Sequence, residues 1–138
     1  MSGFANRGPQ DALVASAFSP GQQLFDPMVA AGGGGHSYST VTATAGGTRG
    51  AATRLPASVN RIAVCATAGD SVSLPAATGG QWLGVYNAGA AACQVFADPP
   101  SRDTINGVAS ATGVSLPAGK SAWFCSAGPG VWFWVLSA

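Results

Sequence analysis

Ser121-Ala-Trp-Phe-Cys-Ser-Ala-Gly-Pro-Gly-Val-Trp-Phe-Trp-Val-Leu136 decides the fold class. Two apolar, aromatic runs, Ser121–Cys125 and Val131–Leu136, flank Gly128-Pro129-Gly130. Proline and glycine there break any helix and reverse the chain. Bulky aromatic and β-branched side chains fit a pleated surface, so both runs read as strands. Alternation sends Trp132, Trp134 and Leu136 to one face of the last strand and Val131, Phe133 and Val135 to the other. Both faces are apolar. Such a strand lies either between two layers or under another subunit.

Upstream the same texture recurs. Tyr38–Thr44, Arg61–Ala66, Ser71–Leu74, Trp82–Tyr86, Ala92–Phe96 and Val114–Leu116 are short and rich in β-branched residues, and most of them alternate. Asn87-Ala-Gly89 reads as a hairpin connection between the fourth and fifth of these. About eight strands at spacings near ten residues, with no helical period among them, predict an all-β fold: an antiparallel β-sandwich or jelly roll.

Leu-Pro-Ala occurs at 55–57, 74–76 and 116–118, the last two within Val-Ser-Leu-Pro-Ala. Leu closes a strand pointing inward, and Pro, lacking an N–H, stops the ladder. The three copies read as equivalent strand exits. Being few and unevenly spaced, they are not read as a solenoid.

Residues 1–35 differ from the rest. Pro9, Pro20 and Pro27 interrupt any regular element, yet Phe4, Phe18, Leu24, Phe25 and Met28 are apolar anchors. The expectation is an extended N-terminal arm, lying over its own domain or another surface, joined through Gly32–Gly35 to a β domain spanning 36–138. Phe4, Phe18, Leu24, Phe25, Met28, Trp132 and Trp134 are the candidate protein–protein interface residues.

Composition narrows the function. Charged residues are 8 % of the 138-residue chain, with no Glu and one Lys, and the net charge is +1; about 25 % is usual. A surface so poor in charge suits burial against other chains. Six scattered cations offset by five Asp form no stripe for phosphates, so no nucleic-acid partner is expected. No apolar run reaches the ~18 residues of a spanning helix, and Pro9 and Asp11 stand where a secretion signal would carry basic residues. Three separated cysteines, Cys65, Cys93 and Cys125, read as free thiols of a protein assembled in a reducing cytoplasm.

Reactive groups are scarce. His36, the only histidine, adjoins the flexible glycines and suits no rigid base. The cysteines share that one histidine, and Asp11, Asp26, Asp70, Asp98 and Asp103 form no tight pair in sequence. Asp70 and Asp103 sit at turns, where Asp bonds neighbouring backbone. No metal-ligand spacing or phosphate loop is present. The expectation is a protein that is not an enzyme and holds no cofactor or metal.

From about Thr48 to Trp134 the chain resembles a β-module of tailed-bacteriophage virion proteins, the head decoration (cement) and head-fibre proteins. The likeness is carried, in order, by Ala68-Gly-Asp-Ser-Val-Ser-Leu-Pro-Ala76, Val85-Tyr-Asn87, Val95-Phe96, Asp103-Thr-Ile-Asn-Gly107, Ser115-Leu-Pro-Ala-Gly-Lys-Ser-Ala-Trp-Phe124 and the Gly-x-Trp at 130–132, over about two thirds of the chain. Each piece is ordinary turn and strand chemistry; their order is the more specific signal. The resemblance implies a structural virion protein on the outer capsid surface that bridges major capsid subunits and stabilises the head. Its partners would be the major capsid protein and itself, as a homodimer or homotrimer. The alternative it implies is a head-fibre or tail-fibre module that binds a receptor or glycan.

Overall fold

The computed structural model describes residues 37–138. The candidate arm, with Phe4, Phe18, Leu24, Phe25 and Met28, and His36 lie outside the described residues. Tyr38–Thr42 forms β1, Thr53–Arg54 β2, Val59–Val64 β3, Ser71–Ser73 β4, Trp82–Asn87 β5 and Cys93–Phe96 β6. Then come Thr104–Ile105 (β7), Val114–Leu116 (β8), Ser121–Gly128 (β9) and Val131–Leu136 (β10). A single 3-10 turn, Arg49–Ala51, is the only helical piece among the described residues. The described residues are all-β, with two sheets. No helix among the described residues is long and apolar enough to cross a membrane.

The sheets correct the expected topology. β1, β3 and β5 run parallel in a six-stranded sheet of order β1-β3-β5-β9-β10-β7, while β2, β4 and β6 run parallel in a four-stranded sheet of order β2-β4-β6-β8. Successive strands therefore alternate between the two sheets, and the chain winds as stacked coils of roughly twenty residues. This is the geometry of a short solenoid, not an antiparallel sandwich or jelly roll. Between named strands, antiparallel pairing enters only at the end of the winding, where β8 returns beside β6, β9 beside β5, and β10 beside β9; an isolated antiparallel bridge joins Thr44 and Ser71 earlier. Asn87-Ala-Gly89 is accordingly no hairpin, because β5 and β6 belong to different sheets. Gly128-Pro129-Gly130 is one: Gly128 pairs with Val131, and Gly130 turns the chain at φ +78°.

The Leu-Pro-Ala phrase carried the solenoid signal. Thr53, Val72 and Val95 are aligned across the small sheet, as are Arg54, Ser73 and Phe96. Leu55 and Leu74 follow at the same level of successive coils; the Leu55 N–H donates to Ser73 O and the Leu74 N–H to Phe96 O. Ala97-Asp98-Pro99 takes that place in the third coil. Leu116 lies on the returning strand opposite Cys93, at the other end of the sheet, so it is not an equivalent exit. All three leucines are nonetheless buried.

Between the sheets Leu55, Ile62, Val72, Leu74, Leu83, Val85, Val95, Leu116, Phe124 and Trp132 form one core. Ile62, Phe124 and Trp132 are inward members of alternating strands, while Leu55 and Leu74 follow directly on the ends of β2 and β4. Two asparagines are buried with them, and both are satisfied. Asn60 Oδ1 accepts from Ser39 Oγ at 2.6 Å and from the Ala57 N–H, while its Nδ2 donates to Ala57 O. Asn87 Nδ2 donates to Ala91 O and Leu116 O, both at 2.9 Å, and its Oδ1 accepts from the Gly89 N–H. These side chains serve backbone groups at corners where no ladder reaches, as burial demands.

Candidate functional site

The six-stranded sheet buries one face against the core and presents the other. Its strand register arranges the presented face as rows. Tyr38, Val59, Gly84, Trp123 and Val135 are consecutive partners across β1, β3, β5, β9 and β10. One row away, Trp82, Cys125 and Phe133 are aligned across β5, β9 and β10. On the opposite side run Thr40, Arg61, Tyr86 and Ser121.

This face is apolar and accessible. Tyr38 is 66 % exposed, Trp82 62 %, Trp123 52 % and Val135 64 %, and Val59, Tyr86 and Phe133 are each more than two-fifths exposed. The rings of Trp82 and Trp123 meet edge to face, with centroids 6.2 Å apart at 73°, a favourable aromatic arrangement. Shallow depressions separate the protruding side chains. One lies among Tyr38, Val59, Arg61 and Tyr86, another among Val59, Gly84, Tyr86, Ser121 and Trp123. Arg61 is the only charged residue in these rows, and it stands in the marginal one.

Trp132 and Trp134, predicted interface residues, occupy the other side of β10. Trp132 is completely buried, and its Nε1 donates to Pro75 O at 3.2 Å. Trp134 is half-buried, stacked on Phe124 with centroids 5.6 Å apart. Trp132 thus belongs to the domain's own core, and the exposed residues of that strand are Val131, Phe133 and Val135 together with Leu136 at its end. Both faces of β10 are apolar, as its alternation implies, but the opposite set is exposed. Tyr38, Trp82, Tyr86 and Trp123 were missed as surface residues. Alternation gave each a side without saying which side is inward, since that depends on where the second sheet lies.

The three described aspartates, Asp70, Asp98 and Asp103, are buried and engaged inside the fold. Asp70 Oδ2 accepts the N–H groups of Ala66 and Thr67 at 3.0 Å, and its Oδ1 accepts that of Gly46 at 3.2 Å. Those bonds, from Thr67 and Gly46 above all, hold its carboxyl below the usual range. The turn role expected of Asp70 is the one it plays. Asp103 differs: its Oδ2 accepts from Ala77, twenty-six residues away. Asp98 Oδ1 lies 2.6 Å from Arg54 Nη1. No group of three or more His, Cys, Asp or Glu side chains gathers to hold a metal among the described residues.

Cys65 and Cys93 are fully buried, their thiols directed at Thr67 O (3.8 Å) and Gln94 O (4.0 Å); Cys125, on the presented face, is half-buried. Burial pushes both core thiols up, Cys93 the further. Neither has thiolate character to act with.

Comparison with family models, with curated proteins and with solved structures found no match to this chain. The likeness to phage head proteins rests on the order of its motifs alone.

Proposed function

We propose that the chain is a structural virion protein of the capsid-decoration kind, present in many copies on the outside of a phage head and bridging major capsid subunits. One observation carries this reading: an aromatic face five strands wide is presented to the surroundings, while the described carboxylates are spent on internal bonds. A surface of this kind gains free energy by being covered, and exposed apolar patches of such extent mark contact sites. Repetition over a shell multiplies modest contacts through high effective concentration. A catalytic reading has no acid–base pair to build on among the described residues, since Asp70 and Asp103 are backbone acceptors and Asp98 is paired.

The fibre-module reading, with a receptor or glycan as ligand, has less support. Sugar recognition needs polar groups convergent in a pocket. The depression among Tyr38, Val59 and Tyr86 is lined almost wholly by apolar atoms.

The test is to locate the protein on purified heads by electron microscopy and to heat heads assembled with and without it. Heads lacking it should release their genome at a lower temperature. Equal heat resistance, or absence of the protein from the shell, would overturn the proposal.

A further inference from the structure

We infer that the presented face of the six-stranded sheet is where two copies of this chain pack, sheet against sheet, about a two-fold axis. The inference deepens the proposal of a multi-copy structural module and rests on it only for its biological setting.

Area is the first argument. Tyr38, Val59, Trp82, Tyr86, Trp123, Phe133 and Val135 are each two-fifths to two-thirds exposed on this face, a contiguous apolar patch of the kind that marks a contact site. A stable interface needs about 800 Å² from each partner, so a dimer through this face would cover all three rows, from β1 to β10.

Pattern is the second. A two-fold interface must be complementary to itself, offering knobs and holes on one patch. Tyr38, Trp82 and Val135 protrude, and depressions lie beside Val59 and over Gly84 between Tyr86 and Trp123. Apolar sheet faces stack naturally at about 10 Å with their side chains interdigitated.

Charge is the third. Two of the three rows carry none, so pairing buries no ion there, and exposed Arg61 in the third row can stay hydrated. With a net charge of +1, copies repel one another little.

The face supplies its own reporter, Cys125, between Trp82 and Phe133. Sedimentation of the full chain should show a dimer at micromolar concentration, and Cys125 alkylation should slow about tenfold or more as concentration rises through the dimerisation range. Trp82→Arg and Val135→Arg place a cation in the covered area and should each weaken dimerisation about tenfold or more, with unchanged circular dichroism. Arg102→Glu, away from these rows, should leave it intact.

A full chain that stays monomeric at high micromolar concentration overturns the inference. So does a Cys125 rate independent of concentration, or a dimer indifferent to both substitutions; the labelling needs no variant and stands if the substitutions unfold the protein. Head binding separates the two proposals. A dimer through this face that never attaches to heads sinks only the decoration reading, whereas a monomer that attaches and stabilises them sinks only this one.

Discussion

The six-membered ring of Trp123 reaches Gly84 on the neighbouring strand so closely that a β-carbon on Gly84 would stand 3.2 Å from Cζ3 and 3.3 Å from Cη2. Glycine weakens a strand by leaving backbone bare and unpacked. The ring covers that gap, and a side chain at 84 would compete with it for the space. The two residues should therefore be coupled. Gly84→Ala should be less favourable in the wild-type background than in Trp123→Ala, with an interaction energy on the order of 1 kcal/mol. Urea denaturation of the four members of the cycle measures it; additive effects would show the contact to be energetically idle.

Gly113 occupies a tighter place. Its φ is +69°, and an added β-carbon would meet Val95 O at 2.6 Å and Phe96 Cδ1 at 2.9 Å. Left-handed backbone costs an ordinary residue about 1–2 kcal/mol, and overpacking about 1–3 kcal/mol more. Gly113→Ala should lower the unfolding free energy by about 2–5 kcal/mol, read as a shifted urea midpoint at constant slope.

Acid should loosen the coils through Asp70. Its carboxylate ties Gly46 of the first coil to Ala66 and Thr67 before β4. A carboxyl held low in the folded state contributes stability that is fully present above its unfolded pKa, about 3.9. That contribution disappears as pH falls through the lower folded value. Thermal melts between pH 7 and pH 2 should show the loss below about pH 4. Asp70→Asn, which has no such charge to lose, should be less stable at pH 7 and should flatten that limb.

The three thiols should differ in reactivity. In dilute native protein, iodoacetamide should modify Cys125, while Cys65 and Cys93 react only when the structure opens, because they are buried and raised in pKa. Peptide mass spectrometry after timed labelling distinguishes the sites. Rapid native modification of Cys93 would contradict the burial described here.

Local chemistry was legible in the chain. Strand after strand appeared near its expected position because β-branched and aromatic residues alternate and Pro or Gly ends several of the runs. Leu55, Leu74 and Leu116 point inward as predicted, Asp70 caps its turn, and Gly128-Pro129-Gly130 closes its hairpin. The two-residue strand β7 escaped notice, and β2 was implied only as the strand that Leu55 closes, both being too short to show any period.

What the chain alone determined was thus where strands begin, where they stop and which residues share a side: properties of φ, of missing donors and of period-two geometry within a few neighbours. The tertiary structure decided which strands lie beside which, in what direction, and which side faces inward. A strand alternates identically in a parallel or an antiparallel ladder, so β1, β3 and β5 reveal their coil only when residues some twenty positions apart pair. Trp132 and Phe133 are likewise equally apolar neighbours. The second sheet, packing against one side of β10 and not the other, makes the first a core residue and leaves the second on the surface.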